Sequence, residues 1–388
     1  MVFMNPHERI LGYITFLLTV SFQLIVPILP VYLYSVLGAS KQEVGVIIAL
    51  AAIASALTRI PSSIFVMREN ALKVLVFGIG LNTVALLGYT LSVSPWMLAF
   101  FRILHGASFA LNYTLMLSFV SLFVRPDRAY KSITNYTASI AMGLWVGPAI
   151  GVFLNSFLDL KMLMLSATLI SLAPVFLGSV FLKSRSSLWE DIYYSKIRVD
   201  VFKALLKKPL LLPTALYLFY SMVVGALLAY APLKAKISFG ISDQLIIFIF
   251  TGYYFITFLL RTILSRATLH MGNTKLLRLA MASCALGVFV AGLAPTLWLF
   301  VIGTYLVAIA HGLTFPLTAM ITAHVVPPNF RIIGNSIYLT SWDIGSIFGP
   351  IVVASILYVA PLPIALAFTS IFAGIALLLT GKIAQVIG

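Results

Sequence analysis

The sequence predicts an all-α integral membrane protein: twelve transmembrane helices in two six-helix bundles, arranged as parallel repeats about a pseudo-two-fold axis along the membrane normal. Three observations predict it. Apolar residues make up 61% of the 388 and charged residues only 9%, against roughly 45–50% and 25% in soluble domains. The chain divides into twelve apolar runs of membrane-spanning length. Its two halves share polar, glycine and proline landmarks at one fixed offset.

A helix needs about 20 apolar residues to cross some 30 Å of hydrocarbon. Backbone groups in lipid must bond within their own segment, so each run is a helix and not a strand. The first run, near 10–36, ends in Pro30-Val31-Tyr32 and not in a small-residue cleavage site, so it is a span and not a removed signal. The second, 42–66, carries Arg59 near its end, and a short basic loop leads to the third, 73–93. Only Ser92–Pro95 separates the third from the fourth, 96–124, which makes them antiparallel neighbours. The fifth, 132–158, holds a glycine-rich motif, and the sixth, 162–183, ends at Lys183. A hydrophilic bridge, 184–209, follows; its Leu188, Trp189, Ile192, Tyr193, Val201, Phe202 and Leu205 suit a helix lying on the inner membrane surface. The remaining spans are read at 210–234, 241–264, 276–294, 297–325, 334–358 and 362–382, the ninth and tenth divided by Ala294–Thr296. The expected bodies are therefore an N-terminal bundle over 1–183, a cytoplasmic linker over 184–209 and a C-terminal bundle over 210–388.

Basic residues set the expected orientation. Twenty of the lysines and arginines fall on one side of these spans, while Lys41, Lys161, Lys234 and Lys236 fall on the other and Arg102 lies inside a helix. That bias puts both termini in the cytoplasm of a multi-pass protein of the cell (inner or plasma) membrane. The formal charge of +15 then reflects topology and contact with anionic lipid in the bilayer. No solvent-exposed basic module exists to bind nucleic acid.

The repeat is the most informative feature. At an offset of 202, Pro30 matches Pro232, Arg59 matches Arg261 and Lys73 matches Lys275. Gly143, Gly147 and Pro148 match Gly345, Gly349 and Pro350 at the same offset, and His105-Gly106 matches His311-Gly312 at 206. Chance aligns leucines in apolar runs, but not arginine, proline and Gly-x-x-x-Gly-Pro in order. An even number of spans per half gives the copies one orientation, hence parallel repeats.

With these residues the sequence resembles the major facilitator superfamily over essentially its whole length. Arg102-Ile-Leu-His105-Gly106 is similar to that family's R-x-x-x-G pattern in the fourth span. Gly143-Leu-Trp-Val-Gly147-Pro148-Ala-Ile-Gly151 resembles its G-x-x-x-G-P-x-x-G antiporter motif, and Pro27-Ile-Leu-Pro30 the P-x-x-P of its drug-efflux branch. The loop after the second span departs from the family pattern, with Met67 where an acid is expected, and Ser265–Gly272 also lacks an acid. The resemblance implies alternating access around a midplane site, export driven by proton antiport, and spans two and eleven meeting across the halves.

An ionisable group in hydrocarbon costs roughly 2.5–3.5 kcal/mol on insertion scales, so each is a candidate for function. Of ten carboxylates only Asp343 lies deep in a span, about nine residues into the eleventh, or roughly 14 Å at ~1.5 Å per residue. Arg59, at about 10 Å depth in the second span, is its expected neighbour by the resemblance. The pair either closes the cytoplasmic side and loosens when Asp343 is protonated, or is a permanent structural pair, or Asp343 bonds nearby Ser341 or backbone. Arg102, His105, Gly106, Phe109, Asn112 and Tyr113 form one stripe at helical spacing. Arg102 there either binds an anion or relays protons, or braces span four on carbonyls of adjacent helices. His105 and His311 read as cavity residues or as hydrogen-bonded packing groups. Gly143, Gly147, Pro148, Gly151, Gly345, Gly349 and Pro350 read as a helix-packing motif, in which glycines admit a neighbouring helix and proline bends the span.

Further cavity candidates are Gln23, Asn135, Tyr217, Tyr220 and Trp342, with Tyr253, Tyr254 and Tyr338 beside them. A site lined by Tyr, Phe and Met suits a hydrophobic or weakly polar small molecule better than a highly charged one. No phosphate-cradling loop, metal-ligand spacing or nucleophile–base pair is present, so neither cofactor, metal nor catalytic residue is expected and the chain is not read as an enzyme. The sequence therefore predicts a secondary transporter that exports a small organic or amphipathic solute, with protons as the counter-substrate; the alternative is a uniporter or importer of a sugar or metabolite. The two halves enclose one pathway, so a monomer suffices.

Overall fold

The structure, a computed structural model, describes residues 6–65, 70–122, 129–184, 208–327 and 331–382. The expected surface helix of the central linker and the loop with Met67 lie outside these residues. All regular secondary structure among the described residues is helical. Span one is Pro6–Gln23 plus Leu29–Ser35, span two Lys41–Phe65, span three Ala71–Leu91, span four Pro95–Leu122, span five Ala129–Leu154 and span six Leu160–Ser184. Spans seven to eleven are Lys208–Phe239, Asp243–Met271, Asn273–Leu293, Leu297–Val325 and Arg331–Ile356. Span twelve is Leu362–Phe368, Ser370–Leu379 and the 3-10 turn Thr380–Lys382. Among the described residues, ten helices are long and apolar enough to cross a membrane. Span one falls short because it is broken; span four has 28 residues but carries Arg102, His105 and Asn112. Large apolar side chains such as Phe77, Phe176, Phe248, Trp298 and Leu378 face outward, as a lipid solvent requires.

The two halves pack alike. Span one meets five and six, two meets four, and three meets four and six; seven meets eleven and twelve, eight meets ten, and nine meets ten and twelve. The halves themselves join where span two packs on eleven and span five on eight, with Leu29–Ser35 against span seven. Traces of duplication reach the turns. Gly38 and Gly240, 202 residues apart, follow spans one and seven with φ of 75° and 62°, a backbone region that glycine adopts without strain. Each turn leads to a capping serine. The Ser40 backbone N–H donates to Glu43 Oε2 (2.8 Å) and Glu43 N–H to Ser40 Oγ (3.2 Å), a capping box; Leu245 N–H donates to Ser242 Oγ (3.2 Å).

The glycine motifs sit where helices touch. A methyl on Gly349 would strike the Met222 carbonyl, and one on Gly345 would strike Ser221 Oγ, both on span seven. Gly143, Gly147 and Gly151 lie equivalently against span one, at Thr19, at Val20 and Gln23, and at Leu24. Pro148 and Pro350 are inside their helices.

Three expectations need correcting. The first span is not one continuous helix: Pro27 and Pro30 supply no N–H, and the chain between the two pieces turns through tight bonds such as Ile28 N–H to the Ile25 carbonyl (3.1 Å). Span twelve is likewise interrupted at Thr369. Lys234, read as the outer end of the seventh span, lies well within the helix and is 1% exposed. Its ammonium donates to the carbonyls of Ala291 (2.6 Å), Gly292 (2.6 Å) and Ala294 (3.3 Å). A lysine here caps the orphan carbonyls at the end of span nine, so span seven runs on to Phe239.

Candidate functional site

A cavity between the halves has two lobes that share Phe22, Val26, Phe109, Leu228 and Trp342. The first, of about 170 Å³, reaches Pro30, Ile48, Ser55, Arg102, His105 and Asp343. The second, of about 230 Å³, reaches Gln23, Arg59, Tyr113, Tyr217, Tyr220, Tyr254, Arg261, His311 and Phe315. Spans two and eleven contribute to both lobes, and their close packing brings Arg59 and Asp343 together.

Arg59 Nε lies 2.7 Å from Asp343 Oδ2, and both residues are 1% exposed. The remaining donors are also engaged. Nη2 reaches Asp343 Oδ1 (3.2 Å) and Ser55 Oγ (3.0 Å), and Nη1 reaches Thr114 Oγ1 (2.7 Å). Ser55 Oγ donates to Asp343 Oδ1 at 3.0 Å. The guanidinium lies 5.8 Å from the Phe109 ring centroid. Ser341 does not bond Asp343; its hydroxyl donates to the Tyr338 carbonyl (2.5 Å). The ion pair thus ties one half to the other at the cavity wall, with every polar atom matched. The pair is sensitive to one proton, because a neutral carboxyl loses the Coulomb attraction and weakens the charge-assisted hydrogen bonds that hold the guanidinium.

Arg102 lines the first lobe. Its Nη2 donates to the Ile48 carbonyl (2.8 Å) and Nη1 is 3.5 Å from Tyr89 Oη, while Nε has no partner. It therefore braces span four on span two and also faces the cavity. His105 Nδ1 pairs with Tyr89 Oη at 2.9 Å, and His311 Nδ1 with Tyr220 Oη at 2.6 Å. Both histidines are buried and anchored, and each also contributes to a lobe.

Aromatic rings form the second lobe's floor. Tyr217 stacks on Tyr338 (4.7 Å between centroids), Trp342 (5.5 Å) and Tyr220 (5.9 Å). Tyr113, Gln23 and Tyr254 also line this lobe.

Not every expected residue arrives. Asn112 lines neither lobe: its amide donates to Ser108 Oγ (3.1 Å) and it packs against Gly78 of span three. Helical spacing placed it on the stripe, but a stripe wider than the cavity mouth also faces the neighbouring helix. Asn135 is in span five, with its side chain outside what is described. Tyr253 and Tyr338 support the lobes from behind and line neither. Missing from the expectation are Phe22, Ser55, Thr114, Phe315 and above all Arg261, which had served only as a marker of the repeat. Among the described residues no group of His, Cys, Asp and Glu could hold a metal ion.

The family model described as Major Facilitator Superfamily matches residues 11–242 and 214–384. No curated protein sequence matches the chain significantly. Similar solved structures include the human organic anion transporter MFSD10 (TETRAN), 16% identical with a TM-score of 0.71, over 97% of this chain and 100% of that one. The nucleoside transporter NupG (D323A mutant) is 16% identical with a TM-score of 0.69, over 98% and 100%. A bacterial homolog of the human lysosomal transporter Spinster is 15% identical with a TM-score of 0.71, over 99% and 98%. At such identities the likeness is one of fold.

Proposed function

The chain belongs to the major facilitator superfamily, and from that premise we propose that this multi-pass membrane transporter of small solutes exports its solute by proton antiport. The observation that carries the reading is the buried Arg59–Asp343 pair joining the halves at the cavity wall. In the proposed orientation both termini are cytoplasmic, the membrane is the cell membrane, and the moving bodies are residues 1–183 and 210–388, bridged by 184–209.

The cycle follows from charge. With Asp343 ionised, the pair holds spans two and eleven together and keeps the cytoplasmic side closed. A proton arriving from outside reaches Asp343 through the first lobe, where Arg102 and His105 are the other charged or titratable groups. The neutral carboxyl releases Arg59, and the halves part on the cytoplasmic side. Loss of the proton inward, with solute taken up, restores the pair and closes that side again. One proton then enters for each solute expelled. Close helix contacts at Gly349 and Gly147 give the moving bodies rigid internal seams.

A second reading, a uniporter or importer, is favoured by one observation: the pair is fully satisfied by Ser55 and Thr114, as a permanent brace would be. Proteoliposomes with an internal pH dye separate the two. Across a panel of lipophilic cations, sugars and organic acids, antiport predicts solute-dependent proton movement in the native protein and none in Asp343→Asn. Solute flux without proton movement would make the protein a uniporter and Asp343 a brace.

A further inference from the structure

The repeat aligns Arg261 with Arg59, and the two arginines occupy equivalent settings. Arg59 lies over Phe109 of span four at 5.8 Å, and Arg261 over Phe315 of span ten at 5.5 Å; those phenylalanines are 206 residues apart, the offset of His105 and His311. The equivalence fails at one position. Asp343, the counter-ion of Arg59, aligns at 202 with Ala141. Arg261 is 5% exposed and forms no ion pair among the described residues. Nη2 donates to the His311 carbonyl (3.2 Å), but Nε and Nη1 have no acceptor.

A guanidinium always carries its charge, and leaving it buried and unmatched is costly. Arg261 lines the second lobe, and among the described residues the other buried side-chain atom of that lining without a hydrogen-bond partner is also a donor, Gln23 Nε2 on the opposite half. Among the described residues no carboxylate lines this lobe, and the donors of Arg59 there are already taken. The lobe therefore offers two free donors on Arg261, a positive charge and, beside Tyr254, the amide donor of Gln23; every group left unsatisfied is a donor, and what the lobe lacks is an acceptor. Beside them stand the stacked rings of Tyr217, Tyr220 and Trp342.

We infer that the second lobe is the seat of an organic anion: a small carboxylate with an apolar or aromatic body, its head accepting from Arg261 and Gln23 and its body lying against Tyr217, Tyr220 and Trp342. The bound carboxylate takes the place that Asp343 fills for Arg59, so the solute completes the second half of a pseudo-symmetric pair of ion pairs. At about 230 Å³ the lobe is below the roughly 300–1,000 Å³ of drug-sized sites, which favours one- or two-ring acids. This inference rests on the cavity being the transport site and narrows its solute from hydrophobic or weakly polar to anionic. Gln23 spans the other half of the cleft, so an anion held by both residues also draws the halves together.

The test is equilibrium binding to the full-length protein in lipid nanodiscs, read by thermal stabilisation and by calorimetry. The probes are benzoate, phenylacetate and indole-3-acetate, each beside its primary amide and the corresponding amine at matched ionic strength. At least one carboxylate is expected to bind saturably, with its amide and amine weaker by about 10- to 100-fold, the worth of a charge-assisted hydrogen bond. Arg261→Gln is expected to remove that preference, Arg261→Lys to retain part of it, and Gln23→Leu to reduce affinity less than Arg261→Gln. In the absence of probe, Arg261→Gln should unfold at the same temperature as the native protein or higher, because it removes an unmatched buried charge; a structural arginine would give a clear loss. Carboxylates that act no better than their amides, or act equally on Arg261→Gln, would overturn the inference. The assay needs neither flux nor a proton gradient. A protein that binds carboxylates but moves no protons would sink the antiport reading and leave the anion seat standing.

Discussion

Replacing Arg59 by Leu is expected to lower the stability of the folded protein by about 3–5 kcal/mol, the usual cost of removing one partner from a buried ion pair. The magnitude follows from the matching around the pair. Asp343 is 1% exposed, and without Arg59 only Ser55 still donates to it. The double change Arg59→Leu/Asp343→Leu is expected to recover most of the loss, since an apolar pair of similar volume often serves as well as a buried ion pair. Thermal unfolding of the native, single and double variants in nanodiscs measures both numbers. A cost below about 1 kcal/mol for Arg59→Leu would place the pair in the range of solvated salt bridges, and its surroundings would then be wet and open.

Gly349→Ala is expected to cost about 1–3 kcal/mol, the range for overpacking a well-filled interior. The added methyl meets the Met222 carbonyl, with Met222 C at 2.9 Å and Ala226 N at 3.1 Å. All three are backbone atoms of one helix, so relief requires moving span seven as a whole, and a bulkier Gly349→Val should cost more. Gly147, its repeat equivalent, is looser, with Val20 O at 2.9 Å and Gln23 Cβ and Leu24 N at 3.0 Å, so Gly147→Ala should cost less. Gly374 serves as the control, having nothing within 4 Å of a new methyl. Gly374→Ala should leave stability unchanged or raise it by about 0.5–1 kcal/mol, as removal of a mid-helix glycine does. No loss at Gly349, with the two variants behaving alike, would mean that helix propensity and not the seam with span seven sets the result.

Hydropathy and the repeat made most of this fold legible, because a chain that must bury every backbone bond in lipid has few options beyond spans of helix. What hydropathy misses are the places where apolar sequence does something other than continue. Residues 24–28 are as apolar as the helix before them, so only Pro27 and Pro30 signalled the break, and proline is common inside the other spans too, as at Pro61, Pro174 and Pro316. Lys234 carries a charge that reads as solvated, yet a long side chain can turn back to carbonyls. No pattern in one sequence distinguishes those fates. For the site, depth in the span singled out Asp343 and the family resemblance paired it with Arg59, whose side chain lies within hydrogen-bonding distance of it. Arg261 was in view throughout as half of an aligned pair. The signal that separates it from Arg59 is the alignment of Asp343 with Ala141, which asks what a repeat lacks as well as what it shares. Asn112 shows the opposite limit, since residues one helical turn apart share a face without sharing a neighbour.

The measurement closest to the central claim is a distance between the halves as the charge on Asp343 is removed. Lys73 and Lys275 are exposed, equivalent in the repeat, and sit at the ends of spans three and nine that the proposed orientation puts in the cytoplasm. Spin labels at Lys73→Cys and Lys275→Cys, with the buried Cys284 replaced by serine, report the opening of that side in nanodiscs by double electron–electron resonance. Asp343→Asn keeps the shape and loses the charge, so it is expected to shift the distribution toward longer distances at neutral pH. The labelled protein with Asp343 intact should make the same shift as pH falls. Superimposable distributions for the two proteins at every pH would contradict the account, leaving Arg59 and Asp343 as a fixed brace between halves that move by some other means.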